Sequence, residues 1–139
     1  MLPIQHKYSK SFHRRSSRQR ATYQNTTFNG NLSIISLDRA KISNFELFAS
    51  RAFLKRELKK ATKIWARSGL NFAITKKPMA ARMGKGKGNI LYWSSVLYEG
   101  KPLYDFKSYN TRGLLTTTRR LQKRLSIKSI TLLLKNWWF

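Results

Sequence analysis

Lys76, Lys77, Arg82, Lys85 and Lys87 crowd into one short stretch, and Gly84, Gly86 and Gly88 alternate with the last two lysines. The lysines supply compact point charges, and Arg82 supplies a planar fork that grips a phosphate through two bonds. Glycine allows positive φ and close approach of another chain. Successive backbone amides in such a turn form a concavity for anions. The stretch predicts a loop that lies against a sugar–phosphate backbone. Lys76, Lys77, Arg82, Met83, Gly84, Lys85, Gly86, Lys87 and Gly88 are its candidate nucleic-acid contacts.

The nucleotide loops fail on spacing. A Walker loop needs Ser or Thr after Gly-Lys, and none follows here. The glycines run G-x-G-x-G rather than G-x-G-x-x-G, and they precede a predicted strand instead of a helix. A plain flexible connector has no need of Lys-Lys-Pro, Arg-Met and two further lysines.

Other chemistries have fewer materials. There is no cysteine, so thiol nucleophiles, disulfides and Cys-based zinc sites are out. The two histidines, His6 and His13, lie seven apart without a neighbouring carboxylate. The five acids, Asp38, Glu46, Glu57, Glu99 and Asp105, are scattered singly. No proton-transfer set converges, so the chain reads as no enzyme, and no cofactor or metal is expected. No apolar run nears the roughly 18 residues of a membrane span.

Against those five acids stand 29 Lys and Arg, a formal net charge of +24 over 139 residues. Such a charge repels itself in the compact state and calls for a polyanionic partner. Yet 41% of residues are hydrophobic, with eight Phe, six Tyr and four Trp, so a core is available.

The positioning elements follow from pattern. Residues 1–25 form a basic arm: Lys7, Lys10, Arg14, Arg15, Arg18 and Arg20 occur there with no acid and no periodicity. That composition fits a mitochondrial transit peptide or an arm that orders on nucleic acid. Residues 26–139 read as a single domain. Leu32 to Leu37 is β-like. Ser43 to Glu46 matches a capping box, with Ile42 and Leu47 as its hydrophobic staple. Leu47, Leu54, Leu58 and Ala61 then make the buried stripe of a helix over 43–61, beside a basic row at Arg51, Lys55 and Lys59. Residues 64–67 and 72–75 read as strands around Ser68-Gly69. Residues 89–98 and 103–106 read as strands of a hairpin. Leu114, Thr118, Leu121 and Leu125 mark a second helix over 113–125, and 127–135 reads as a last strand. The fold class is α+β, two helices packed on a mixed or antiparallel sheet.

Lys77-Pro78, then Arg82 to Asn89, then Tyr92-Trp93, resembles the signature of the large-subunit ribosomal protein L-sixteen family. Met1-Leu2-Pro3, Lys7 to Lys10, His13-Arg14, Phe28-Asn29-Gly30, Lys63-Ile64-Trp65, the Gly100 turn with Leu103-Tyr104, and Leu125 to Lys128 follow in family order. The resemblance implies an α+β protein that binds large-subunit rRNA near the A-site and peptidyl-transferase region and helps position tRNA. It implies Lys10, His13 and Arg14 as arm contacts, and the basic neighbours Arg15 and Arg18 are added to them. The implied partners are large-subunit rRNA, the tRNA elbow and neighbouring ribosomal proteins, with no membrane and no homo-oligomer.

Because the resemblance starts at Met1, the basic arm is expected to be family body, with no cleavable leader ahead of it. A chain rich in Lys, Ile, Asn, Phe and Tyr (16, 9, 8, 8 and 6 residues) suggests an AT-rich organellar gene. Mitochondrion is the expected location, with plastid and bacterial cytoplasm as alternatives. The family usually begins an Ala/Glu-rich helix where Lys107 to Thr118 is rich in Ser, Tyr, Asn and Thr, which leaves the second helix's start open. The aromatic end, Trp137-Trp138-Phe139, is compatible with core, protein or base contacts. A membrane-active polycation would need an uninterrupted basic amphipathic helix. An RNA-modifying enzyme would need the missing proton-transfer set.

Overall fold

In the computed structural model, residues 29–58, 62–84 and 86–133 are described, together with Pro3, Tyr8, Lys10 and Phe12. The predicted single sheet is in fact two, and every strand pairing in both is antiparallel. The first sheet uses β1 (Leu32–Ser36), β3 (Thr62–Ala66), β6 (Pro102–Ser108) and β7 (Ser129–Leu133), in the order β3-β6-β1-β7. The second uses β2 (Ala40–Ser43), β4 (Phe72–Lys76) and β5 (Asn89–Leu97), in the order β2-β5-β4. Helices α1 (Asn44–Leu58) and α2 (Thr111–Gln122) complete the α+β fold.

The expected hairpin of 89–98 with 103–106 does not form. The chain does reverse: the Lys101 amide donates to the Tyr98 carbonyl at 3.0 Å, and the Gly100 amide donates to the Ser36 carbonyl at 2.8 Å. But both edges of β5 are taken by β2 and β4, and both edges of β6 by β1 and β3. The turn passes the chain from one sheet to the other. Ser68-Gly69 likewise leads from edge strand β3 to edge strand β4, which belong to different sheets.

Helix α1 begins as half a capping box. The Ser43 hydroxyl accepts the Glu46 amide at 3.2 Å. The Glu46 carboxylate does not turn back. It accepts the Ser126 amide at 2.7 Å and the Ser126 hydroxyl at 3.0 Å, which pins the end of α2's turn to the start of α1. Helix α2 starts at Thr111, two residues ahead of expectation, because the Asn110 side-chain oxygen accepts the Gly113 amide at 3.0 Å. Its predicted stripe of Leu114, Thr118, Leu121 and Leu125 is buried.

The two helices meet the sheets over one core. Leu47 and Leu54 of α1, Leu114 and Leu121 of α2, Leu32 and Ile34 of β1, and Tyr104 and Phe106 of β6 belong to one buried cluster. Ile42 and Leu97 extend it into the second sheet. The Tyr104 hydroxyl lies 2.6 Å from the Ser50 hydroxyl and donates to the Leu47 carbonyl at 3.1 Å, so α1 is hydrogen-bonded to the sheet through its core face. Of the predicted α1 pattern, Ala61 and Lys59 lie outside the described residues.

Candidate nucleic-acid interface

Strands β4 and β5 pair from Phe72↔Ser94 to Lys76↔Asn89, and the cationic segment is the loop between them. Every described residue from Lys76 to Lys87 is exposed. Met79 and Met83 are exposed as fully as free side chains, so the loop contributes no hydrophobic packing of its own. It is shaped instead by polar contacts within the segment. The Lys77 ammonium donates to the Gly84 carbonyl at 2.6 Å, and the Ala81 amide donates to the Pro78 carbonyl at 3.2 Å.

The three glycines divide into two jobs. Gly84 and Gly86 have φ of 91° and 80°, and a Cβ at either would meet nothing within 4 Å. They are needed for backbone conformation. Gly88 lacks positive φ, but a Cβ there would stand 2.5 Å from the Lys76 carbonyl oxygen. It is needed so that the two strands can close the base of the loop. Of the two roles expected for glycine here, positive φ falls to Gly84 and Gly86, and Gly88 serves a close approach within the chain itself.

Lys77, Pro78, Arg82, Gly84, Gly86 and Lys87 border a concavity of about 450 Å³. No Asp or Glu occurs between Glu57 and Glu99, while nine Lys and Arg do. Three of the acids elsewhere have partners within the fold. Asp105 is buried, accepts the Ser33 hydroxyl at 2.8 Å and lies 3.6 Å from Arg67. Glu57 is 3.4 Å from Arg120, and Glu46 is held by Ser126. The loop's positive field is thus left without a nearby carboxylate along the chain.

The arm meets this loop. The Lys10 ammonium donates to the Lys87 carbonyl at 3.4 Å, and the Lys87 ammonium sits 5.2 Å from the centre of the Phe12 ring. Among the expected contacts, Lys10, Lys76, Lys77, Arg82, Met83, Gly84, Gly86, Lys87 and Gly88 are brought to one end of the second sheet. His13, Arg14, Arg15, Arg18 and Lys85 lie outside the described residues, as does Trp137-Trp138-Phe139.

Some cations have work inside the body. Arg124 stacks 4.2 Å from the Phe53 ring centre, and Lys101 donates to the Val96 carbonyl at 2.9 Å, with burial holding its pKa below the ordinary lysine value. Other cations gather where sequence reasoning did not look. Lys63 stands directly opposite Lys107 across β3 and β6, beside Trp65 and a fully exposed Tyr109. Like charges in register repel. Only strand pairing reveals that these two meet, since 44 positions separate them.

The sequence profile of the family described as ribosomal protein L16p/L10e matches residues 3–131. The large ribosomal subunit protein uL16 of Acholeplasma laidlawii (strain PG-8A) is 32% identical over 128 residues, covering 92% of this chain and 92% of its own. That of Phytoplasma australiense is 31% identical over 131 residues, with 93% of each covered. That of Wigglesworthia glossinidia brevipalpis is 34% identical over 103 residues, covering 73% of this chain and 76% of its own. An exposed glycine–lysine loop on an α+β body, matched along nearly its whole length, leads to one conclusion: the chain belongs to the ribosomal protein L16p/L10e family.

Proposed function

We propose that this chain is a structural constituent of the large ribosomal subunit, bound to rRNA through the β4–β5 loop and the basic arm, residues 1–25, while residues 26–139 form the single domain that carries them. Its role is architectural and not enzymatic, as befits the family. The observation that carries the reading is the loop itself: exposed at every described residue from Lys76 to Lys87, bent at two positive-φ glycines, and drawn from a stretch of chain without acids. Such a turn gains most from phosphate, because each neutralised phosphate releases condensed counterions. Selectivity then comes from RNA shape and 2′-hydroxyls more than from base readout.

At finer resolution, the site lies near the A-site and peptidyl-transferase region, where Arg82, Lys85 and Lys87 hold rRNA and the protein helps seat tRNA. Lys10, His13, Arg14, Arg15 and Arg18 hold the arm to RNA. The protein works as one copy per subunit beside neighbouring ribosomal proteins. Its compartment is the mitochondrion, which the Lys-, Ile- and Asn-rich composition supports. The relatives named above are bacterial, and bacterial cytoplasm is the alternative.

Sedimentation after a high-salt wash is the first test. The chain should remain with large subunits in one-to-one amount, and its loss to the free pool would remove it from the subunit core. The second is affinity for large-subunit rRNA against salt. Lys87→Ala should lower the slope by about 0.7–0.9. An unchanged slope takes Lys87 out of the phosphate contacts.

A further inference from the structure

Helix α1 has apolar residues on two sides. Leu47, Phe53 and Leu54 are buried, but Phe45 is 68% exposed and Phe48 is 74% exposed. Three residues apart on a helix, these two rings are neighbours. They flank a groove of about 580 Å³ whose floor is Leu47 and Leu70 and whose far rim is Arg51 and Lys55. Ala52, between the rim residues and Phe48, is too small to fill it. No carboxylate lines the groove. Glu46, next along the helix, is turned away to Ser126.

Two features of the groove point to its occupant. Phe45 is held on one side by Tyr92, with ring centres 6.2 Å apart at 58°, so an aromatic face is fixed in place. Arg51 and Lys55 are one helical turn apart, an arrangement of like charges that costs an isolated helix a few tenths of a kcal/mol. A ligand that brings both a flat π-face and a negative charge satisfies the rings and the cations together. A nucleotide is such a ligand, and proteins that hold unpaired bases combine aromatic platforms with basic grooves.

We propose that the Phe45–Phe48 groove is a second RNA site, which takes an unstacked base of large-subunit rRNA between its rings with the adjoining phosphate on Arg51 and Lys55. The proposal rests on the rRNA-binding reading above and adds to it a distinct face. Tyr92 lies on β5 three residues beyond Asn89, where the loop closes, whereas Leu70 precedes β4 at its other end, so the groove is a separate surface beside the second sheet. Nothing in the β4–β5 loop takes part in it.

The test uses the full chain and large-subunit particles stripped of it by partial unfolding in denaturant, since a high-salt wash is expected to leave it bound. A Phe45→Leu/Phe48→Leu pair keeps apolar bulk and removes both π-faces. A Phe45→Tyr/Phe48→Trp pair keeps them. Stacking predicts that the leucine pair binds about 5- to 100-fold more weakly, that one or two unpaired rRNA bases become reactive to chemical probes, and that the aromatic pair restores both. Arg51→Gln with Lys55→Gln should lower the salt slope by about 0.7–0.9 per contact with the rings intact. All four residues are exposed, so circular dichroism should show folded variants throughout. Leucine variants that bind and protect bases like the parent overturn the proposal. So does a photoreactive group at position 48 that cross-links to a neighbouring protein instead of rRNA. If the parent chain itself fails to bind the stripped particles, the rRNA reading falls; if only the leucine comparison fails, this groove alone is excluded.

Discussion

Asp105 and Lys87 show how differently two parts of one molecule treat charge. Asp105 lies inside the first sheet, and the fold answers it with the Ser33 hydroxyl and the Arg67 guanidinium. Lys87 stands on an exposed loop whose flanking chain carries no acid over 58–98. Its backbone carbonyl accepts the Lys10 ammonium, and its own ammonium lies over the ring of Phe12. In the sheet, charge is neutralised locally and fixes which strands meet. In the loop, the described cations are exposed and no acid is near them along the chain, which is where the proposed rRNA contact falls. Stability and binding should therefore be carried by separable sets of residues.

Changes in the buried set should have the largest effect on folding. Leu54→Ala should cost about 2–5 kcal/mol in denaturant titration, through lost burial and a residual cavity. The salt slope of rRNA binding by the remaining folded chain should not change; a changed slope would mean that core and loop are not separable. The loop base is intermediate. Gly88→Ala forces a Cβ to 2.5 Å from the Lys76 carbonyl, so overpacking should cost about 1–3 kcal/mol and also weaken binding. Gly86→Ala meets open space and only the strain of φ 80°. It should cost about 1–2 kcal/mol of stability as left-handed strain, with no overpacking at the β4–β5 pairing. Equal behaviour of the two alanines would erase the division of labour between these glycines.

The smallest effect should be alkaline. Burial raises the Tyr104 phenol above its ordinary value of 10.0, outweighing the opposing hydrogen bond from Ser50. The unfolded phenol ionises first, so the contribution is whole below pH 10.0 and is lost as pH rises toward the folded group's higher value. Thermal melts of Tyr104→Phe should show a smaller decline than the parent above about pH 10, on top of a uniform loss of about 0.5–1.5 kcal/mol from the missing hydrogen bonds. An equal decline in both proteins would place the alkaline sensitivity elsewhere.

Local signals in the sequence translated well where the cause was local. The Leu47/Leu54 and Leu114/Thr118/Leu121 stripes specify buried helix faces, and the Ser43 cap forms. The second helix begins earlier than its apolar stripe because Asn110, a polar residue in a polar stretch, supplies the cap. Pairing was less legible. Glu99 to Pro102 announces a reversal, but a turn does not say which strand edges are vacant, so β5 and β6 were joined when they part into two sheets. The four-residue β2 runs straight into the cap of α1 and has no period of its own to show. The loop's cations were visible, since their density is a property of the chain. Phe45 and Phe48 were overlooked, although Phe48 sits about 100° round the helix from Leu47 and so off the buried stripe. The Lys63–Lys107 meeting required strand register.

Where the arm joins the body, Asn31 is bolted to β6: its amide donates to the Phe106 carbonyl at 2.9 Å, and its side chain both donates to the Ser108 carbonyl at 2.8 Å and accepts the Ser108 amide at 3.3 Å. Gly30 beside it has no room even for a methyl group, which would fall 2.0 Å from the Phe106 oxygen. Asn31 is therefore a fixed post at the edge of the body, and Lys10 of the arm stands against Lys87 of the loop. On the proposed rRNA reading, a phosphate gripped at Lys10 is presented to the loop at high effective concentration, so the second encounter is intramolecular and the two grips reinforce one another without any added contact.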